Sequence, residues 1–292
     1  MMDGQRARRL KCGSPIGRIV DEAGDAMQYS VIALVLGYIT KIEPGWLCLG
    51  YAIINLPMFC MEMSYMMCGT LKITANDDLG PIEVEIIVAT IFLAAGFFGI
   101  SGLEHSVQSS FAAEGMIHGL VPESLLWKHS VIVLALFLYT LFSLEGLSSC
   151  FAKDPKKTLY NLLCPAITIA IASLSGLFQT ETYSEQFVVF HLVHSFSFNI
   201  SSYRLMIANM TKTDFLPIGV ENLVALVPIF VHVTCANKLE RVALEPLANY
   251  TCLLLMVILF YGHFAMLSMQ FLARNPDRKF FTIKAIENIK TN

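Results

Sequence analysis

The residues best suited by type and spacing to do chemistry lie at the beginning of the chain. They are Asp3-Gly4-Gln5-Arg6-Ala7-Arg8 and, after eight further residues, Gly17-Arg18-Ile19-Val20-Asp21-Glu22-Ala23-Gly24-Asp25. Asp21 and Asp25 are four positions apart, so on a helix their carboxylates share one face. Gly17 sits one turn earlier on the same ridge, where the missing side chain leaves room for a ligand. Asp3 and Ala7 repeat the pairing of a carboxylate with a small residue at the same spacing. Between the two segments, Gly13-Ser14-Pro15 reads as a break followed by an N-cap serine and a proline in the first helical position. The spacing therefore predicts two helices joined by a tight turn, with Asp3 able to face Asp21 and Asp25. Three carboxylates beside Arg8 repel one another and would stabilise a fold poorly. They suit a hard divalent cation such as Mg²⁺, which takes oxygen ligands and bridges substrate phosphates; Arg8 then has a natural partner in a diphosphate. The plainer reading of the same residues is a solvated, charged segment beside a membrane.

The elements that must position these residues follow from composition. The chain has 292 residues, 55% hydrophobic and only 15% charged, with a mean hydropathy of +0.60. A soluble domain carries about 45–50% apolar and about 25% charged residues, so an all-α, polytopic integral membrane bundle is expected. Eight stretches are apolar enough to cross a bilayer: about 22–41, 46–71, 83–101, 130–149, 157–178, 186–207, 216–235 and 248–272. With the N-terminus in the cytosol and the helices alternating, 16 of the 20 basic residues fall on the cytosolic side, leaving Lys41, Lys128, Lys238 and Arg241 on the other. That bias predicts a motif facing the cytosol. The first twenty residues contain no apolar segment of a secretory signal. The semi-polar connection near 102–129 is expected to form short interfacial helices. A net charge of −3 argues against a nucleic-acid partner. The 8 cysteines include no C-x-x-C pair, so neither a zinc site nor a disulfide framework is indicated. There is no internal repeat and no second soluble domain, so residues 1–292 are read as one membrane-embedded domain with the motif in residues 1–25.

The spacing D-G-x2-A-R-x8-G-x3-D-x3-D resembles the signature of the CDP-alcohol phosphatidyltransferase family. The segments Cys68–Lys72, Ile82–Glu85, Ala208–Asp214 and the basic tail through Phe280-Phe281-Thr282-Ile283-Lys284 are similar to its choline/ethanolamine phosphotransferase branch. The resemblance implies transfer of phosphocholine or phosphoethanolamine from CDP-choline or CDP-ethanolamine to diacylglycerol, releasing CMP, in the endoplasmic reticulum or Golgi membrane. It implies that Asp3, Asp21 and Asp25 hold two Mg²⁺ or Mn²⁺ ions, which screen the diphosphate and stabilise the leaving group. Gly4, Ala7 and Gly17 would make room for the nucleotide, and Arg8 would bind phosphate. For the base that takes the acceptor hydroxyl's proton, the wider family implies Asp25 and the branch implies Glu83. A histidine typical of the branch would fall at about Glu62, so Glu62 and Glu83 are expected to share a proton. Membrane lipids and a second copy of the chain are the further partners implied. The family motif has another aspartate three positions before Asp3, and the branch usually has ten helices. The chain is therefore expected to lack two N-terminal helices and one carboxylate, and so to bind metal poorly. The competing readings are a non-catalytic partner of an intact paralogue and a transporter; the latter is disfavoured because the acidic cluster is not at midplane and no repeated halves are seen.

Other polar residues in the apolar stretches receive structural readings. Glu83 and Glu85 would point in opposite directions on a helix, so only one can face the site. His191 and His194 are expected to pack or bond between helices rather than bind metal. His232 and His263 read as isolated structural residues. Arg204 and Glu221 are expected to snorkel from helix ends, and the methionines between 58 and 67 to line a soft, lipid-adaptable surface. Asn249-Tyr250-Thr251 matches a glycosylation acceptor but lies too close to the bilayer for use.

Overall fold

The computed structural model describes residues 15–40, 44–69, 127–178, 185–235 (with 235 ending a helix cap) and 237–274, together with helical positions 86, 89–90, 93 and 96–97. The described residues form seven helices and no strand: α1 (Pro15–Thr40), α2 (Pro44–Cys68), α3 (Trp127–Lys153), α4 (Pro155–Phe178), α5 (Phe187–Thr211), α6 (Val220–Thr234) and α7 (Lys238–Arg274). Each coincides with one of the apolar stretches. The stretch near 83–101 is described at six positions only, where Ile86, Leu93 and Phe97 are exposed. The connection at 102–126 lies outside the described residues. Among the described residues, two segments qualify by length and hydropathy as membrane spans, Pro155–Phe178 in α4 and Glu240–Met266 in α7.

The distribution of polarity fits a bundle that faces lipid. Large apolar side chains point outward along α3 (Leu134, Phe137, Leu144), α4 (Leu159, Leu163, Leu177) and α7 (Leu254, Leu255, Ile258, Tyr261). The interior instead holds Ser30, Asn55, Glu62, Asn161, Thr168, His191, Asn199 and Asn222. In water this arrangement would leave a very large apolar surface exposed. In hydrocarbon it is the expected one, with polar groups satisfied inside the protein.

Helix α5 is the hub, packed against α1, α2, α4, α6 and α7. The sequence of α5 explains this: its apolar residues are interrupted by serine, asparagine and histidine on several faces, so no side of it suits lipid. The main core joins α1, α2, α3, α4 and α5 through Ala33, Phe59, Met63, Met67, Cys150, Cys164, Phe198 and Leu205, closed by Phe215 beyond α5. Here the structure corrects the methionine reading. Met63 and Met67 are core residues, and the Met67 thioether accepts weak hydrogen bonds from Thr158 (3.7 Å) and Asn161 (3.8 Å) of α4. α2 and α3 pack most extensively, with Gly146 of α3 against α2: a Cβ there would lie 3.6 Å from the Cys60 carbonyl oxygen, an ordinary contact distance.

A second correction concerns Arg204 and Glu221, which do not snorkel. Arg204 Nη1 donates to Glu221 Oε1 at 2.7 Å, and Ser201 Oγ donates to the same oxygen at 2.9 Å. Arg204 Nη2 donates to the Leu216 carbonyl at 2.7 Å, and the guanidinium lies over the Phe215 ring at 5.6 Å. Lys212, at φ 58°, caps α5 in the left-handed region and turns the chain into this connection. Gly219 is required where it closes: a Cβ there would overlap Arg204 Nη1 and the Glu221 carboxylate. Asn222 extends the network, accepting from the Gly219 amide at 3.0 Å and donating to Thr168 Oγ1 at 3.0 Å. The pair thus staples α5 to α6. His232 is likewise not isolated, since its Nδ1 lies 2.6 Å from Glu245 Oε1 of α7. His263 Nδ1 donates to the Leu259 carbonyl one turn back. Asn249 is buried within α7, which removes it as a glycosylation acceptor.

Candidate functional site

α1 carries the second half of the acidic motif. The helix begins at Pro15, where the proline's missing N–H costs nothing because that donor has no partner within the helix. Its two faces differ sharply. Gly17, Asp21, Gly24 and Asp25 are exposed. Ala26, Ser30, Ala33 and Gly37 are buried, at spacings of four, three and four residues. A stripe of small residues allows a neighbouring helix to approach the backbone closely, and α5 does so.

Three hydrogen bonds mark that contact. Asn199 Nδ2 donates to Ser30 Oγ at 3.1 Å, and Ser30 Oγ donates to the Ala26 carbonyl at 3.0 Å. His191 Nε2 lies 3.1 Å from the Ser30 carbonyl oxygen. That oxygen can only accept, so Nε2 carries the hydrogen. The carbonyl of a helical residue points toward the helix C-terminus, whereas the hydroxyl bonded to Ala26 lies toward the N-terminus. His191 meets the first and Asn199 the second, so α5 runs antiparallel to α1. At about 100° per residue, Asp21 lies about 180° around α1 from Ser30, and Asp25 about 140°. The face that holds Asp21 and Asp25 out is therefore set by the face that is held in.

Two carboxylates at this spacing, on an exposed helix face, can supply oxygen ligands from one side to a hard divalent cation. Among the described residues no group of three or more His, Cys, Asp or Glu is gathered. Asp3, Gly4, Ala7 and Arg8, the other half of the expected motif, lie outside the described residues, as does Glu83. Glu62 is buried in α2 at 1% exposure. The structure thus brings Gly17, Asp21 and Asp25 to one face of α1 and places Glu62 in the interior of the bundle.

The comparisons bear on the same segment. Residues 1–121 match the family model for CDP-alcohol phosphatidyltransferase. The matched stretch contains the whole acidic motif as well as Glu62 and Glu83. Two curated proteins are similar over part of it. One is an uncharacterized CDP-alcohol phosphatidyltransferase class-I family protein 2 of Dictyostelium discoideum, 26% identical over 98 residues, or 34% of this chain. The other is cholinephosphotransferase 1 of Xenopus laevis, 29% identical over 102 residues, again 34% of this chain. The chain covers 24% of the length of each. The family-model match and both likenesses fall on part of the chain only, and the chain spans about a quarter of the length of these relatives.

The expectation that His191 bonds between helices is met at Ser30, whereas Asn199, the second polar partner of α1 on α5, was not singled out in the sequence. His191 and Asn199 are eight residues apart, about two turns, in a helix that also carries His194, Ser195, Ser197 and Ser201. The partner on α1 was hidden in an unremarkable run of small residues.

Proposed function

We propose that this protein transfers phosphocholine or phosphoethanolamine from a CDP-alcohol to diacylglycerol, within the membrane of the endoplasmic reticulum or Golgi and with the motif face toward the cytosol. The observation that carries the reading is the exposure of Gly17, Asp21 and Asp25 on one face of α1, inside the residues that match the CDP-alcohol phosphatidyltransferase model. The likeness to a cholinephosphotransferase supports the choice of headgroup.

In the reaction, the acceptor hydroxyl oxygen forms a bond to the phosphorus that bears the alcohol headgroup. The bond from that phosphorus to the bridging oxygen breaks, and the electron pair leaves with CMP. Asp21 and Asp25, with Asp3, fit two Mg²⁺ or Mn²⁺ ions by donor chemistry. Bound cations supply charge neutralisation of the diphosphate. Gly17 keeps the adjoining backbone open to the nucleotide, and Arg8 pairs with phosphate. Asp25 takes the hydroxyl proton, with Glu83 as the alternative base and Glu62 as its buried partner. The outward apolar faces of the bundle give diacylglycerol lateral access from the lipid.

The test is transfer from labelled CDP-choline and CDP-ethanolamine to diacylglycerol in membranes that contain the chain. Metal-dependent formation of labelled phospholipid that is lost in Asp21→Asn supports the reading. Absence of CMP release with both donors overturns it.

A further inference from the structure

We propose that His191 and Asn199 of α5 are positioning residues for the Asp21–Asp25 pair, acting through Ser30 to fix the rotation of α1. They matter to the reaction only if the carboxylate face of α1 is the metal site of the proposed transferase.

The reason lies in what packing alone can specify. The buried face of α1 is built from Ala26, Ser30, Ala33 and Gly37. Small side chains bring helices close but make shallow ridges and grooves, so a modest roll of the helix loses few contacts. Directional bonds do not tolerate such a roll. The Asn199 amide, the Ser30 hydroxyl and the Ala26 carbonyl form a continuous donor–acceptor series, at 3.1 and 3.0 Å. It ends on the carbonyl of the residue next to Asp25. His191 adds a bond of 3.1 Å to the backbone carbonyl of Ser30 itself. One bond engages the side chain and the other the backbone of the same residue, from points two turns apart on α5. That double engagement fixes rotation and translation together.

The surroundings keep the clamp rigid. His191 is 3% exposed and Asn199 1%, and Phe187 stacks on the His191 ring at a centroid distance of 6.3 Å. With His191 and Asn199 buried, a lost bond here leaves a donor unsatisfied and favours a different roll of α1. A roll of α1 would carry Gly17, Asp21 and Asp25 together and turn their shared face away from its present direction. His191 and Asn199 bond to Ser30, about 140–180° around α1 from Asp25 and Asp21, so their effect passes through α1.

The experiment measures Mn²⁺ binding by electron paramagnetic resonance on the full chain in lipid nanodiscs, alongside the KM for Mn²⁺ and for diacylglycerol. Asp21→Asn is the reference for loss of the metal site. Ser30→Ala retains the small-residue stripe and so tests the relay with little risk to folding. Ser30→Ala and Asn199→Ala are each expected to weaken Mn²⁺ binding about 3- to 10-fold, raising the KM for Mn²⁺ and leaving that for diacylglycerol unchanged. His191→Gln, whose amide can still donate to the Ser30 carbonyl, should keep more affinity than His191→Leu. Unchanged Mn²⁺ binding in Ser30→Ala and Asn199→Ala, where Asp21→Asn abolishes it, overturns the positioning role and leaves the metal site standing. Binding indifferent to Asp21→Asn removes the metal site, and the role of His191 and Asn199 with it.

Discussion

Charge is handled in opposite ways at two places in this molecule. On α1, Asp21 and Asp25 stand on an exposed face, four residues apart, with like charges side by side. Between α5 and α6, Glu221 is 1% exposed and receives hydrogen bonds from Arg204 and Ser201, while Arg204 also binds two carbonyls and lies over a phenylalanine ring. The second arrangement satisfies its charges internally and holds two helices and their connection in one geometry. Carboxylates displayed together on an exposed face are the oxygen ligand set that the proposed divalent cations would take. The contrast separates charges that build the bundle from charges that serve it.

The contrast can be broken or sharpened by substitution. The largest effect is expected on activity, not stability: Asp21→Asn and Asp25→Asn should each lower CMP release about 10²–10³-fold. Their thermal unfolding in detergent should stay within about 0.5 kcal/mol of the parent. The inverse pattern is expected for the staple. Arg204→Met leaves the buried Glu221 carboxylate without its cation and should cost about 3–5 kcal/mol in the same unfolding measurement. The double substitution Arg204→Met with Glu221→Met should cost less than Arg204→Met alone, because no orphaned charge remains. Gly219→Ala should cost about 1–3 kcal/mol, since its Cβ overlaps the guanidinium and the carboxylate. At the other end of α6, His232→Ala removes the 2.6 Å contact to Glu245 and should cost about 1 kcal/mol, read as a lower unfolding midpoint. A stability loss in Asp21→Asn as large as that in Arg204→Met would dissolve the distinction.

How far the sequence could be read depends on the range of the interaction. The helices were readable, because hydropathy over about twenty residues is a local property; seven apolar stretches coincide with α1 to α7. The start of α1 at Pro15 and the shared face of Gly17, Asp21 and Asp25 were readable for the same reason. What could not be read were the partners in interactions between helices. Arg204 and Glu221 are seventeen residues apart, and His232 and Glu245 thirteen, on helices whose relative rotation no local pattern reveals. Snorkelling and isolation were natural readings of single residues whose partners could not be seen. Met63 and Met67 went astray similarly: a flexible apolar side chain suits lipid or core, and only the packing of α2 between α3 and α4 decides. The clamp on Ser30 is the extreme case, because one of its acceptors is a backbone carbonyl, which has no signature in the sequence at all.

The role proposed for the exposed carboxylate face of α1 is metal-dependent transfer from a CDP-alcohol. The most direct measurement is CMP release from CDP-choline or CDP-ethanolamine by the full chain in membranes with diacylglycerol, before and after removal of divalent cations with EDTA. The account predicts release that stops on chelation and returns when Mn²⁺ or Mg²⁺ is restored. No release from either donor, or release that continues undiminished in EDTA, would contradict it.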